Sequence, residues 1–286
     1  MSKIVLKGVN TKGFTNLIKR SSSLDNLIFI TIDGTQFESS AYTSNKAAVK
    51  SVLADLTKLC EEYKNDNDSL VKIEFGNAGK VIQALQLVGT ENVDIIIDVE
   101  DNNLAKKVLF KNETLSINVN CADAAAVEFL EIPDDKKHII LHDISKMLYK
   151  FSISEAEYKY MSSLFNLNKD ALRIFFNLNG SDVYVSEIES SDENVRSEVN
   201  EIIDGKRFDD FGAYEKLYSK KLTIDEYSKN TEDDNYIGCF NKQYFNWIDN
   251  DSKYTIEFHT NKIKIVSSDD ELGIKSYVVL APVKFA

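Results

Sequence analysis

Apolar positions along the chain change period in a fixed order, and the last fifty residues show that order most plainly. Tyr236–Phe240 is a short apolar run that predicts a strand, and Asn241–Ile248 then predicts a compact helix. Asn241 suits the N-cap because its side chain can accept from the free N–H groups of the first turn. Tyr244, Phe245 and Ile248 fall on one side of that helix, with Lys242, Asn246 and Asp249 on the other. Alternation over Tyr254–His259, Lys262–Ser267 and Ile274–Ala281 predicts three strands to finish.

The same order of strand, helix and strands begins near residues 3, 71, 149 and 236. The first unit opens with Lys3–Leu6, then a helix over Thr11–Leu24 with Phe14, Leu17, Ile18 and Leu24 on one face. Leu27–Ile32, an Asp33-Gly34 turn and Thr35–Tyr42 predict a hairpin. Lys46–Tyr63 fits neither period: Val49, Val52, Leu53, Leu56 and Leu59 have helical spacing, but valine and threonine count against a helix. Asn65–Ser69 is a solvated polar turn and not a calcium loop, since Leu70 stands where an oxygen ligand is due.

In the second unit Val71–Phe75 is a strand and Asn77–Val88 a helix buried through Val81, Leu85 and Val88. Strands are predicted at Val93–Val99, Lys106–Phe110 and Thr114–Val119. Ala122–Asp135, with Pro133, reads as an extended connector. The third unit has a strand at Tyr149–Ile153 and a helix at Ser154–Leu167 with a Ser154/Glu157 capping box and a Tyr158, Met161, Phe165 stripe. Strands Ala171–Leu178 and Asp182–Ile188 follow across Asn179-Gly180. Glu189–Asp234 is strongly charged and reads as an insertion with too few apolar residues for a core, Lys221–Tyr227 rejoining the sheet as a strand.

These periods predict an α+β protein of two similar domains, each a curved antiparallel sheet backed by two short helices. The domains fall at 1–121 and 138–286, with 122–137 as connector and the charged insertion at about 189–234. A length of 286 residues with 43% hydrophobic content is enough for both cores. No run approaches a membrane span, the start lacks a signal-peptide core, and Cys60, Cys121 and Cys239 are far apart, which together fit a cytoplasmic protein with free thiols. The net charge of −12 argues against a tight grip on a nucleic-acid backbone, but leaves room for a loose one through a local basic surface.

Catalytic chemistry is not indicated. There is no phosphate-cradling glycine loop, no nucleophile elbow and no paired metal-ligand motif, and no cofactor is implied. His138 and His142 are four apart, but Ile139-Ile140-Leu141 between them reads as strand, which breaks a helical two-histidine site.

Three segments resemble the sliding clamps of DNA polymerases, of the two-domain type that includes proliferating-cell nuclear antigen and tailed-phage clamps. Tyr236–Ile248 looks like the strand and helix opening the last quarter of such clamps. Ser276–Val283 resembles their C-terminal strand with its Leu-Ala-Pro ending, and Leu130-Glu131-Ile132-Pro133, followed by acidic residues and Ile139–Leu141, resembles their linker. The chain departs from the family in the 189–234 insertion, in its few basic residues on the helices and in lacking an acidic tail after Pro282. Abundant Asn, Lys, Asp and Ile point to an AT-rich, viral or phage genome.

The resemblance implies a non-enzymatic processivity factor: a head-to-tail homotrimeric ring around double-stranded DNA, put there by a clamp loader and holding a polymerase. It implies that helix residues Lys12, Lys19, Arg20, Lys80, Lys159 and Lys242 face the DNA. It also implies a client-peptide pocket at Phe129, Leu130, Ile132 and Pro133 with Leu280, Ala281, Pro282 and Val283. Candidate subunit edges are Thr114–Val119 and either Asp182–Ile188 or Lys221–Tyr227. A structural or adaptor protein, such as a virion component reusing the fold, is the alternative.

Overall fold

The computed structural model describes residues 2–22, 28–43, 45, 47–122, 132–141, 143–144, 146–165, 171–188, 193–215 and 217–283. The chain divides into two compact units, one of Met1–Lys137 with Ser268–Tyr277, the other of His138–Ser267 with Val278–Ala286.

In the first unit the order is β1 (Ser2–Lys7), α1 (Thr11–Ser21), β2 (Ile28–Asp33), β3 (Gln36–Tyr42), β4 (Ala48–Asp55), β5 (Glu62–Asn65), β6 (Val71–Phe75), α2 (Ala78–Val88), β7 (Asp94–Val99), β8 (Ala105–Lys111) and β9 (Ser116–Asn120). Strands run in two antiparallel sets, β5-β1-β7-β8-β9 and β4-β3-β2-β6. Alternation explains the first set: Ile95, Ile97 and Val99 of β7 are buried, while the residues between them are half-exposed. The predicted stripes Phe14, Leu17, Ile18 and Val81, Leu85, Val88 are buried with them in one core. Gly13 seats α1 closely, since a Cβ there would lie 3.0 Å from Leu59 and 3.2 Å from Leu272.

The second unit repeats that order. From the end of the first unit onward the chain runs α3 (Asp134–Leu141), β10 (Met147–Ser154), α4 (Glu155–Phe165), β11 (Arg173–Asn179), β12 (Asp182–Ile188), α5 (Glu193–Asp204), α6 (Phe208–Gly212), β13 (Leu217–Lys221), β14 (Glu226–Lys229), β15 (Asn235–Asn241), a 3-10 helix (Lys242–Trp247), β16 (Lys253–His259), β17 (Lys262–Asp269) and β18 (Ile274–Leu280), with the start of α3, the end of β17 and the first half of β18 counted in the first unit. The pairings repeat as well. β1 lies between β5 and β7, and β10 between β14 and β16. β2 lies between β3 and β6, and β11 between β12 and β15. The core here is aromatic: Tyr158 stacks on Tyr254 at 4.1 Å, and Phe176 meets Phe258 at 5.3 Å.

Several expectations need correction. The segment Lys46–Tyr63, left open by its periods, resolves from Ala48 onward into β4, a 3-10 turn at Leu56–Lys58 and the start of β5. β4 is buried on both faces over most of its length, so it carries no alternation to reveal it. Ile139–Leu141 is the last turn of α3 and not a strand. Pro133 precedes the helix, and its carbonyl accepts from Lys137 N at 2.9 Å. That removes the reason given against a His138–His142 pair; His138 is exposed, and His142 lies outside the described residues.

The expected insertion is largely part of the repeat, because β13 and β14 match β4 and β5. Of its described elements, α5 and α6 lack a counterpart in the first unit, and they do build a core: Val195, Val199, Ile202 and Phe211 pack with Phe175, Ile188 and Cys239. Three or four well-spaced apolar residues are enough when a sheet supplies the other half. The capping box is half present. Glu157 N donates to Ser154 Oγ at 3.3 Å, while the Glu157 carboxylate takes Thr223 N at 2.9 Å and Lys220 at 3.0 Å.

Candidate functional site

The four short helices carry the basic residues singled out above. On α1, Asn10 caps the first turn by accepting from Gly13 N at 2.9 Å. Lys12 and Lys19 are seven residues apart, on one stripe with Asn16, and both are exposed. Arg20 is not on that stripe and needs correction: it lies three residues after Leu17 and seven after Gly13, beside the apolar face. It is 4% exposed, with Nε donating to Asn16 Oδ1 at 3.2 Å and Nη2 4.0 Å from Asp269.

On α2, Asn77 caps by accepting from Lys80 N at 3.2 Å, and the Lys80 side chain is exposed beside neutral Gln83 and Gln86. On α4, Lys159 is exposed and pairs with Glu155 at 2.5 Å, one turn earlier. Asn241 caps the 3-10 helix as expected, accepting from Gln243 N at 3.1 Å. Lys242 is the second correction. Its ammonium lies 2.7 Å from Glu187, whose side chain is 0% exposed, so Lys242 neutralises a buried carboxylate. The sequence held the signal for this: Val183, Val185 and Glu187 share one face of β12, so period two puts Glu187 inside and calls for a cation.

An open groove of about 680 Å³ in the first unit runs past Lys12, Asn16 and Lys19 of α1, Gln86 of α2, and Asp269 and Glu271. Lysine there is balanced by carboxylate, so the surface suits weak and sequence-independent contact with a polyanion.

The client-pocket residues fall in both units. In the first, Ile132 is buried at 8% and Pro133 exposed, so Ile132 pins the chain; Phe129 and Leu130 lie outside the described residues. In the second, Leu280 is fully buried, Ala281 half-buried and Pro282 exposed. Val283 N donates to Cys239 O at 2.8 Å, so the chain beyond β18 lies along β15, with the Val283 side chain against the α5–α6 core. Also in the second unit, Lys262 and Lys264 donate to the last carbonyls of α3, Ile140 O at 2.8 Å and Leu141 O at 3.2 Å. Lys264 is held in turn by Glu257 at 2.6 Å. Burial alone would raise the Glu257 carboxyl, but His259, Lys264 and Lys150 together outweigh it and hold it at about 2.

Two of the described strands end their sets. β9 pairs with β8 and ends its five-stranded set, and β13 pairs with β12 and ends its four-stranded sheet. Asp182–Ile188, offered above as an edge, is interior, flanked by β11 and β13. Among the described residues no group of three or more His, Cys, Asp or Glu could hold a metal ion, and no helix is long and apolar enough to cross a membrane.

Neither family models nor curated protein sequences match the chain. Solved structures do. A. fulgidus PCNA, solved with the C-terminal region of FEN-1 bound, aligns at TM-score 0.67 and 14% identity over 99% of this chain and 98% of that one. The PCNA2–PCNA3 complex of Sulfolobus tokodaii aligns at 0.66 and 11% identity, covering 97% and 98%. PCNA of Thermococcus kodakaraensis aligns at 0.67 and 11% identity, covering 98% and 100%. Identity is low, yet the likeness of fold runs over nearly the whole chain: the chain has the fold of a PCNA-type sliding clamp.

Proposed function

We propose that this protein is a DNA polymerase processivity factor, a ring of three copies that encircles double-stranded DNA and tethers polymerase and other replication proteins. Its work is topological and needs no bond chemistry. The observation that carries the reading is the fold likeness over nearly the whole chain, repeat by repeat. The exposed Lys12, Lys19, Lys80 and Lys159 on the helices support it, as few charges suffice for a ring that slides. The A. fulgidus protein binds part of FEN-1, and the S. tokodaii proteins bind each other, which supports client peptides and self-association here.

A head-to-tail ring needs two different edges; Lys221–Tyr227 is not one strand but the end of β13 and the start of β14, and we put forward β9 and β13. Cysteines placed at Asn118 in β9 and Ser219 in β13, both exposed, test this. Oxidation is expected to give a closed covalent species of three 32.4 kDa chains, about 97 kDa. Monomers only, or a ladder without a stop, would refute the ring. For the client site we put forward the Ala281–Val283 segment that follows β18. Pro282→Asp, at an exposed position, is expected to weaken a polymerase C-terminal peptide about tenfold or more and leave the ring intact. Unchanged affinity would place the client site elsewhere.

A further inference from the structure

The α5–α6 excursion has no counterpart in the first unit, where β3 and β4 are joined by the short stretch 43–47. Beside it lies a groove of about 360 Å³, large enough for one or two side chains of a peptide. Its apolar lining comes from Leu148, Tyr236 and Ile237 on β10 and β15, and from Ile203 and Phe208 on the excursion. Both walls are built. On the excursion side α5 ends with Arg207 N bonded to Ile202 O at 2.9 Å and Lys206 N to Ile203 O at 3.0 Å. Lys206 takes the left-handed conformation usually left to glycine (φ 53°), which turns the chain into Phe208.

The opposite wall is the acidic loop before β15. Tyr149 Oη donates to Asp233 O at 2.8 Å, and Gly180 N donates to Asp234 O at 2.8 Å, so the loop backbone is tied from two directions. Asp234 is also paired with Lys229. Asp233 stays exposed on the groove rim, next to exposed Glu232. Asn235 lines the same groove, and its Oδ1 is buried without a hydrogen-bond partner among the described residues. A buried acceptor left unmade is costly, and a donor entering the groove would satisfy it.

We propose that this groove is a second docking site, for a segment of a partner protein with a basic side chain next to an aliphatic or aromatic one. The apolar side chain fills the space between Ile203, Phe208 and Tyr236, and the Arg or Lys meets Asp233 and the Asn235 acceptor. No residue lining the groove is among the lysines proposed to face DNA or in the Ala281–Val283 segment, although Ile203 and Ile237 share a core cluster with Val283.

The test uses the full chain with two blocked pentapeptides, acetyl-Gly-Arg-Leu-Trp-Gly-amide and its acidic twin acetyl-Gly-Glu-Leu-Trp-Gly-amide. Titration is followed by the methyl NMR signals of Leu148, Ile203 and Ile237. The basic peptide is expected to shift these signals and to bind at least fivefold tighter than the acidic one. Asp233→Asn should weaken it at least threefold and Lys206→Ala should not, both changes being at exposed positions that leave the core intact. Equal or tighter binding of the acidic peptide, shifts confined to other parts of the molecule, or methyl shifts that follow protein concentration alone (a second copy seated in the groove) would each overturn the proposal.

Discussion

Among single residues, the most informative are charges that face inward. Glu187 is fully buried with the Lys242 ammonium 2.7 Å away, so removing that cation leaves the desolvation cost of the carboxylate without its main offset. Lys242→Ala is expected to lower stability by about 3 kcal/mol, read as a fall in denaturant midpoint. Glu187→Leu combined with Lys242→Met should recover most of it. A Lys242→Ala protein as stable as wild type would mean that Lys242 is an ordinary surface lysine after all. Arg20 teaches the same lesson. A basic residue on an amphipathic helix belongs to the polar face only if its angular position says so, and Arg20 is buried at the spacing of Gly13 and Leu17.

Among elements, what was legible and what was not divides on physical grounds. Every helix with a capping asparagine or serine and a one-sided apolar stripe could be read, because cap and period agree: Asn10, Asn77, Ser154 and Asn241 all accept from the turn they precede. β4 could not be read, because a strand buried on both faces shows no period. β13 was blurred for the opposite reason, as an exposed edge strand with Tyr218, Ser219 and Lys221 open to solvent. α3 ends in an apolar triplet that mimics a strand, and only Lys262 and Lys264, about 120 residues further on, explain why its last carbonyls are satisfied. The excursion was judged too poor for a core because the sheet half of that core lies elsewhere in sequence. Phe211, fully buried and 5.4 Å from Phe175, tests this. Phe211→Ala is expected to cost about 3–5 kcal/mol. A cost under about 1 kcal/mol would make α5–α6 a loose appendage.

At the level of the whole molecule, a chain of net charge −12 that acts on DNA must do so with few contacts. Lys12 and Lys19 on α1 and Lys80 on α2 are exposed, and each contact to phosphate contributes about 0.9 to the slope of log affinity against log salt. The triple alanine variant is therefore expected to flatten that slope by up to about 3 without changing the oligomer. An unchanged slope would take these side chains off the DNA path. The central claim is enclosure, and enclosure has a signature that affinity does not. The most direct measurement is retention of the loaded protein on a closed circular duplex through a high-salt wash, before and after a single restriction cut. The account predicts retention on the intact circle and release within minutes of linearisation. Equal retention on circle and line, or none on either after loading, would contradict it.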